Sequence, residues 1–422
     1  EKFIGFFPNH SRKAEVKRRL NQIKADTGAK IKIGVVIPLT GKLALTGQKV
    51  LQGIQLAVHQ LPFLARKKLA LEVRDSGHQL PMKEIIADLS GLPNVVGIIG
   101  PLLSDEVAIA GKVARDYLIP IFSPSASTYG LVDENSFMFR NALTREIQAK
   151  FLAEYAVNTL QLKRFAVLHP YEPFGLELKD TFIKEVESFG GEVVVVAGYD
   201  RTQNDFKKQI FELGGVEDDE LEKIGRELVL SEGVIPDFSS PSTFSRPLID
   251  MGHWSGDDVE KLKVSLELSY DAIFIPGVYD KVGLIIPQLA FYNVNTISLL
   301  GTNGWNSPEL VKMGGKYLTN VYFVDGFYPD SHHVEVQKFV RDFKANFGEE
   351  PGYLSAQSFD AANIMINNIL AGAGNRIKMK ESLKAVKNFP GVTGNTTLLP
   401  SGDSEKNIFA LTVKRKKIVQ QN

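Results

Sequence analysis

The residues of this sequence best suited to contact a ligand are small hydroxyl residues that follow short apolar, β-branched runs. A serine at a strand-to-helix turn can cap the helix, and it can also contact an anionic or polar group beside the free N–H groups of the helix N-terminus. For Ser104, which precedes two acidic residues, capping is an equally good interpretation. The hydroxyl residues in question are Thr46, Ser104, Ser125 and Ser127.

These residues are positioned by a strand–turn–helix pattern that occurs three times between residues 31 and 127. Strands that alternate with helices predict a parallel sheet with helices on both faces, hence an α/β fold. Such sheets bind ligands outside the carboxyl ends of their strands. The pattern therefore directs attention to the loops after Pro38, Gly100 and Phe122.

Composition excludes several classes of protein. The 422 residues carry 49 Lys and Arg against 49 Asp and Glu, so the net charge is zero and a nucleic-acid partner is not expected. There is no cysteine, which removes disulfides, thiolate metal sites and cysteine nucleophiles. No apolar run approaches the length of a membrane span.

An enzyme is not predicted. The sequence contains no Gly-x-Ser-x-Gly elbow, Walker A loop, His-Glu-x-x-His or glycine fingerprint after its first strand. The pair His332 and His333 has no carboxylate at metal-ligand spacing. We therefore predict no catalytic residue, no metal and no cofactor.

A second α/β series follows the first, which indicates two lobes. Residues 214–268 interrupt the second series and predict an insertion of one helix and a long surface loop. Residues 1–29 predict a basic N-terminal helical extension, and its segment Phe-Phe-Pro-Asn-His-Ser-Arg-Lys resembles the last helix of a tetratricopeptide-type repeat.

An ordered set of motifs covering about residues 30–419 resembles the type I periplasmic binding proteins, and among them the leucine/isoleucine/valine-type receptors of ABC transporters. The opening Ile33-Gly-Val-Val-Ile-Pro-Leu-Thr-Gly41 carries the resemblance, as does Phe174-Gly175. Two further segments resemble the family's ligand-contact turns. They are Val96-Gly-Ile-Ile-Gly-Pro-Leu-Leu-Ser104 and Ile119-Pro-Ile-Phe-Ser-Pro-Ser-Ala-Ser127.

The resemblance implies two Rossmann-like lobes with parallel sheets, joined by three crossovers. Lobe 1 is expected to contain residues 31–140 and 327–394. Lobe 2 is expected to contain residues 142–325 and 396–419, with the insertion 214–268. The hinges are expected near residues 140–141, 325–327 and 394–397.

The resemblance also implies a set of ligand contacts. Asn303 stands where these receptors carry a glutamate for the ligand ammonium, and an amide cannot supply that charge. Tyr279 and Trp305 follow strands of lobe 2, where covering a ligand and packing between the domains are equally good interpretations. The expected ligand-binding residues are Thr46, Ser104, Ser125, Ala126, Ser127, Phe174, Tyr279, Asn303 and Trp305.

These features predict a non-enzymatic receptor of the cell envelope that closes on a small polar, amino-acid-like solute for an ABC transporter permease. The alternative is the branch of lipoprotein activators of penicillin-binding proteins, in which the chain is a scaffold that regulates a peptidoglycan synthase and the cleft is vestigial. Either function predicts a periplasmic location. Because the sequence starts at Glu1 rather than Met, a lipid anchor on a missing N-terminus is also expected.

Overall fold

The computed structural model describes residues 30–77, 80–128, 130–132, 137–216, 266 and 268–421. The predicted N-terminal extension and nearly all of the predicted insertion lie outside these residues. The chain divides into two compact units. Unit 1 comprises Glu1–Thr144 and Gly326–Ile408, and unit 2 comprises Arg145–Asp325 and Phe409–Asn422.

The strands of the described residues belong to three sheets. They are β1 (Ile31–Ile37), β2 (Leu69–Asp75), β3 (Val95–Ile99), β4 (Ile121–Ser123), β5 (Met138–Arg140), β6 (Arg164–Pro170), β7 (Glu192–Tyr199), β8 (Ala272–Phe274), β9 (Ser298–Gly301), β10 (Val321–Asp325), β11 (Phe389–Gly391), β12 (Gly394–Leu398), β13 (Ser404–Lys406), β14 (Phe409–Lys414) and β15 (Lys417–Gln420).

The helices lie between these strands and cover the sheets. They are α1 (Ala44–His59), α2 (Phe63–Lys67), α3 (Met82–Gly91), α4 (Ser104–Asp116), α5 (Arg145–Glu154), α6 (Pro173–Ser188), α7 (Lys207–Leu213), α8 (Tyr279–Phe291), α9 (Pro308–Gly314), α10 (Val334–Phe347), α11 (Tyr353–Leu370) and α12 (Arg376–Lys384). No helix in the described ranges has the length and apolar character that a bilayer crossing requires.

Unit 1 is built on a parallel sheet of order β2-β1-β3-β4-β5. Its central strands β1 and β3 are short apolar runs with buried interiors, as expected for strands covered on both faces. Helices α1 and α11 approach closely at Gly53, where a Cβ would lie 2.2 Å from Ser355 O. The α/β fold predicted from the sequence is confirmed in this unit.

Unit 2 contains a separate sheet of order β15-β14-β10-β9-β8-β6-β7. The five strands from β10 to β7 are parallel, whereas β14 and β15 are antiparallel additions at one edge. Phe182 of α6 stacks on Phe274 of β8 with ring centroids 4.1 Å apart. The predicted second α/β series is therefore a second parallel sheet with its own core.

The C-terminal part of unit 1 forms a small antiparallel sheet, β11-β12-β13, that is fastened to α11 by a buried carboxylate. Asp360 of α11, 1% exposed, accepts hydrogen bonds from Val392 N and Thr393 N, both at 2.8 Å. Lys406 donates to Thr393 Oγ1 at 2.6 Å. Because these bonds join β12 and β13 to unit 1, this unit extends to Ile408 rather than ending near residue 394 as expected.

Two elements of unit 1 differ from the sequence prediction. Helix α12 was not predicted, because only Met379 and Leu383 of its nine residues are buried and its apolar period is weak. The sequence predicts a long helix near residues 357–371, and the corresponding helix α11 begins earlier, at Tyr353. In its first turn Tyr353 and Leu354 are half-buried, and Ser355 is buried where α11 meets Gly53 of α1.

Candidate functional site

The loop after β1 is organised by Asp75, the last residue of β2. Its Oδ1 accepts hydrogen bonds from Leu39 N at 2.6 Å and from Gly77 N at 2.8 Å. Its Oδ2 accepts the Thr40 hydroxyl at 2.7 Å. Desolvation raises the pKa of Asp75, but these hydrogen bonds together outweigh it and lower the pKa. The ionised carboxylate therefore fixes the loops after β1 and β2 together.

Thr46 is half-buried and lies in the first turn of α1, so the loop after β1 ends before this residue. The next residue, Gly47, explains the early start. A Cβ at Gly47 would lie 1.8 Å from Pro38 O, so only glycine allows the helix to begin this close to the end of β1.

Ser104 is the first residue of α4, and Leu103 occupies the N-cap position. The interpretation of Ser104 as an N-cap is therefore wrong. Its hydroxyl instead accepts a hydrogen bond from Thr128 Oγ1 at 2.8 Å. This bond joins the loop after β3 to the loop after β4, so Ser104 lies with the other predicted serines of unit 1.

The loop after β4 contains three predicted contacts. Ser125 is half-buried and donates to Leu102 O at 3.0 Å. Ser127 is also half-buried, and its hydroxyl has no hydrogen-bond partner among the described residues. Ala126 differs, because its side chain is 1% exposed and packs in the core, while its N–H donates to Ser123 Oγ at 3.3 Å. Ala126 is thus a core residue and not an exposed ligand contact.

Arg140, the last residue of β5, holds this loop in place. Its side chain is 2% exposed and forms an ion pair with Asp403. The same guanidinium donates to Thr128 O at 2.5 Å and to Ala126 O at 3.4 Å. Nε and Nη1 of the guanidinium are both bonded. The loop after β4, residues 124–128, is called the serine loop below, and these bonds give it a fixed conformation within unit 1.

In unit 2, Phe174 lies in the first turn of α6 and is half-buried. The guanidinium carbon of Arg145 lies 5.4 Å from the centre of its ring, and Arg145 also forms an ion pair with Glu177 one turn further along the helix. Phe174 is therefore held by a cation–π contact from the first residue of α5.

A cavity of ≈ 420 Å³ opens at the carboxyl ends of β6, β7 and β8 in unit 2. Two aromatic residues, Phe174 and Tyr199, line it. It is also lined by the charged residues Glu172, Arg201, Asp280 and Lys281. A concave site with apolar walls and a few polar groups is typical of small-molecule binding.

Tyr279 and Asn303 lie near the ends of β8 and β9. Tyr279 is the half-buried first residue of α8. The backbone N–H of Asn303 donates to the Oε1 of Gln148 at 3.0 Å, while its half-buried side chain has no partner among the described residues. The side-chain amide of Asn303 is therefore unpaired among the described residues, and its role as a ligand contact stays a prediction.

Trp305 does not cover a ligand. Its side chain is 0% exposed, and its indole N–H donates to Ile275 O at 3.2 Å. The ring lies over Gly301, where a Cβ would be 2.2 Å from it. The ligand-binding assignment of Trp305 is therefore wrong. The residue packs in the core of unit 2, and only a glycine at the end of β9 makes room for it.

Sequence reasoning missed the residues that position the site. Arg140 was noticed only as part of a crossover, and Asp75 and Gln148 were not singled out at all. Asp75 had a usable signal, since an acidic residue directly after an apolar strand often organises the adjacent loop. Arg140 and Gln148 had none, because Asp403 and Asn303, to which they bond, lie more than 150 residues away in the sequence.

Comparison with known proteins agrees with this geometry. A family model described as periplasmic binding protein matches residues 30–213 and 267–417. The Leu/Ile/Val-binding protein BraC3 of Rhizobium johnstonii is 27% identical over 177 residues, which are 40% of this chain and 47% of that protein. The chain therefore spans about half the length of this relative.

Solved structures share the fold at low sequence identity. One from Rhodospirillum rubrum, described as a branched-chain amino acid ABC transporter, is 19% identical, covers 93% of this chain and 100% of its own, and has a TM-score of 0.75. LivJ of Streptococcus pneumoniae, solved with isoleucine, is 21% identical with the same coverage and a TM-score of 0.60. The predicted resemblance is confirmed: this chain belongs to the periplasmic binding protein family and has its type I fold.

Proposed function

We propose that this protein is a non-enzymatic solute-binding receptor that serves an ABC transporter in the cell envelope. Units 1 and 2 act as lobes that close on a small polar, amino-acid-like ligand. The ligand shifts the equilibrium between open and closed forms, and the transporter's permease recognises the closed form. The family is one of periplasmic proteins, which supports this location. A lipid anchor stays a prediction.

The observation that carries the proposal is the serine loop of unit 1. It presents Ser125 and Ser127 at the carboxyl end of a parallel sheet, where such folds bind ligands. The buried Arg140 fixes the loop before any ligand arrives, so little conformational entropy is lost on binding. The hydroxyl of Ser127 has no partner among the described residues and can bond to the polar head of a solute.

The proposed ligand is not a leucine-like zwitterion. Asn303 is neutral, and desolvating an α-ammonium beside an amide is costly without a carboxylate to balance the charge. LivJ of Streptococcus pneumoniae was solved with isoleucine, and the present chain is expected to differ from such receptors at this contact. The remaining proposed contacts are Thr46, Ser104, Ser125, Ser127, Phe174 and Tyr279.

Calorimetry on protein that has been unfolded and refolded to remove bound solute tests the function. A panel of amino acids, amines, carboxylates and small polyols is expected to contain at least one saturable ligand at a stoichiometry of one. Leucine, isoleucine and valine are expected to bind weakly or not at all, so micromolar affinity for any of them contradicts the role given to Asn303. A panel without any ligand, together with no small molecule released from native protein, contradicts the receptor function.

The alternative function, a scaffold that regulates a peptidoglycan synthase, depends on residues 1–29 and on the insertion 214–268. These segments lie outside the described residues, apart from 214–216, 266 and 268. The scaffold therefore stays a prediction. Deleting residues 235–256 tests it, because loss of a protein partner from envelope extract is expected only if the insertion is a docking surface.

A further inference from the structure

The four charged residues that line the cavity of unit 2 are bonded to different extents within the described part of the chain. Glu172 pairs with Arg201 at 3.2 Å. Lys281 donates to Gln203 O at 2.9 Å and to Asn204 Oδ1 at 2.8 Å. By contrast, the exposed carboxylate of Asp280, in the first turn of α8, has neither an ion pair nor a hydrogen bond with any described residue. Asp280 is therefore free to bind a cation.

The same cavity contains a tyrosine hydroxyl that has no partner among the described residues. Tyr199 is 1% exposed and lines the cavity, yet its hydroxyl has no hydrogen-bond partner in the described part of the chain. A Cβ on Gly277, another lining residue, would lie 3.2 Å from that hydroxyl, so the glycine keeps space open beside it. An unpaired hydroxyl that faces open space in a cavity is a group to which a ligand can bond.

Two carboxylates lie close enough to Tyr199 to affect its pKa. Burial raises its pKa, and the charges of Glu172 and Asp280 raise it further. The phenol therefore stays protonated and acts as a hydrogen-bond donor. Next to the carboxylate of Asp280, a ligand cation is favoured over a ligand carboxylate.

We propose, on the basis of the receptor function above, that this cavity binds an organic amine that also carries a hydrogen-bond acceptor. The cationic group lies against Asp280, the acceptor takes the hydrogen bond of Tyr199, and the apolar part of the ligand packs on Phe174. Asn303, which follows β9, carries no negative charge to pair with a ligand cation. Asp280, in the first turn of α8, carries that charge instead. A ligand whose ammonium lies beside Asn303 does not pair with Asp280.

Three matched probes of similar shape test the proposal by calorimetry: 2-amino-1-phenylethanol, 1-phenyl-1,2-ethanediol and mandelate. They share a phenyl ring and a hydroxyl but carry a positive, a neutral and a negative group respectively. The amine is expected to bind at least about tenfold more tightly than the diol, and mandelate more weakly than the diol. Equal or reversed order overturns the proposal, and so does the absence of amine binding at millimolar concentration.

Two variants assign the effect to the named residues. Asp280→Asn is expected to remove most of the amine-over-diol preference, and Tyr199→Phe to weaken both ligands about fivefold to tenfold. Glu154→Gln is the control for Asp280→Asn, because it makes the same charge change at an exposed residue outside the cavity. Tyr270→Phe is the control for Tyr199→Phe, because it removes a buried unpaired hydroxyl elsewhere in unit 2. If Asp280→Asn keeps the amine-over-diol preference, the role given to Asp280 is contradicted. If a control variant changes ligand affinity as much as its cavity variant does, the assignment to Asp280 and Tyr199 is contradicted.

The failure of this proposal is distinguishable from failure of the receptor function. If the solute panel yields only neutral or anionic ligands whose binding Ser127→Ala weakens, the receptor function stands and the amine proposal is wrong. If the panel yields no ligand at all, the receptor function itself is contradicted. Thermal midpoints of all variants are measured, so that unfolding is not mistaken for lost binding.

Discussion

Units 1 and 2 both present their candidate residues at the carboxyl ends of a parallel sheet, but they use charge in opposite ways. In unit 1 the charged groups that fix backbone segments include two buried ones, since Arg140, which holds the serine loop, is 2% exposed and Asp360, which holds the small antiparallel sheet, is 1% exposed. In unit 2 the charges near the candidate site lie at the mouth of a cavity, where the side chains of Arg201 and Glu172 are 79% and 39% exposed.

The difference separates two tasks. A buried charge must be fully paired, so it fixes backbone segments and leaves nothing for a ligand to bind. An exposed charge costs little desolvation and remains available. Unit 1 therefore supplies neutral hydroxyls at fixed positions, whereas unit 2 is expected to determine which charge the ligand carries.

The largest change in the free energy of unfolding is expected from the aromatic residues of unit 2, which distinguish its buried core from its half-buried candidate site. Trp305→Ala should lower the free energy of unfolding by about 3–5 kcal/mol, because it empties a fully buried position and removes the bond to Ile275 O. Phe174→Ala should cost much less, since its ring is half-buried. Urea unfolding measures both. A loss below about 1 kcal/mol for Trp305→Ala contradicts its assignment to the core.

Arginines on either side of the first crossing between the units test the comparison directly. Arg140→Met should cost about 3 kcal/mol, because it leaves Asp403 and two loop carbonyls without their donor. Arg145→Met should cost about 1 kcal/mol or less, since its ion pair with Glu177 is partly exposed. Urea unfolding of the two variants gives the ratio, and equal losses would break the comparison.

The serine loop separates binding from stability on a smaller scale. Ser127→Ala should weaken a bound polar solute by about 1–2 kcal/mol without lowering the melting temperature, because the hydroxyl has no partner among the described residues. Ser125→Ala should weaken binding similarly and also destabilise unit 1 slightly through loss of the bond to Leu102 O. Ser188→Ala removes a serine hydroxyl of unit 2 outside the serine loop, and this control is expected to leave ligand affinity unchanged. Unchanged affinity in both loop variants contradicts the site.

The buried charge of unit 1 is also expected to make the free energy of unfolding depend on pH. Burial lowers the pKa of Lys406 to about 8, although Asp360 opposes the shift. An unfolded lysine titrates near about 10.4. Between these values the unfolded chain binds more protons, so the free energy of unfolding should rise with pH. Urea unfolding at pH 7.5 and 10 should show this rise in the free energy of unfolding. The rise should be absent in Lys406→Met and unchanged in the control Lys112→Met, which alters an exposed lysine.

Elements with strong local periodicity could be predicted from the sequence. The apolar run of β1 and the period of α1 were recognised because each residue's neighbours along the chain determine its face. Helix α12 was missed because it buries only Met379 and Leu383. Of the candidate site, the sequence identified the loop with Ser125 and Ser127 and the half-buried Phe174. Their role as ligand contacts stays a prediction.

What the sequence determined by itself is the two α/β series, the family and the loops in which ligand contacts are sought. Tertiary structure alone decided that Trp305 is core, that Ala126 is buried and that Arg140 fixes the serine loop. It also decided that Asp280 and Tyr199 share a cavity. The reason is distance along the chain. Arg140 and Asp403 are 263 residues apart in the sequence, and a pattern among neighbouring residues cannot indicate a contact that only the folded chain forms.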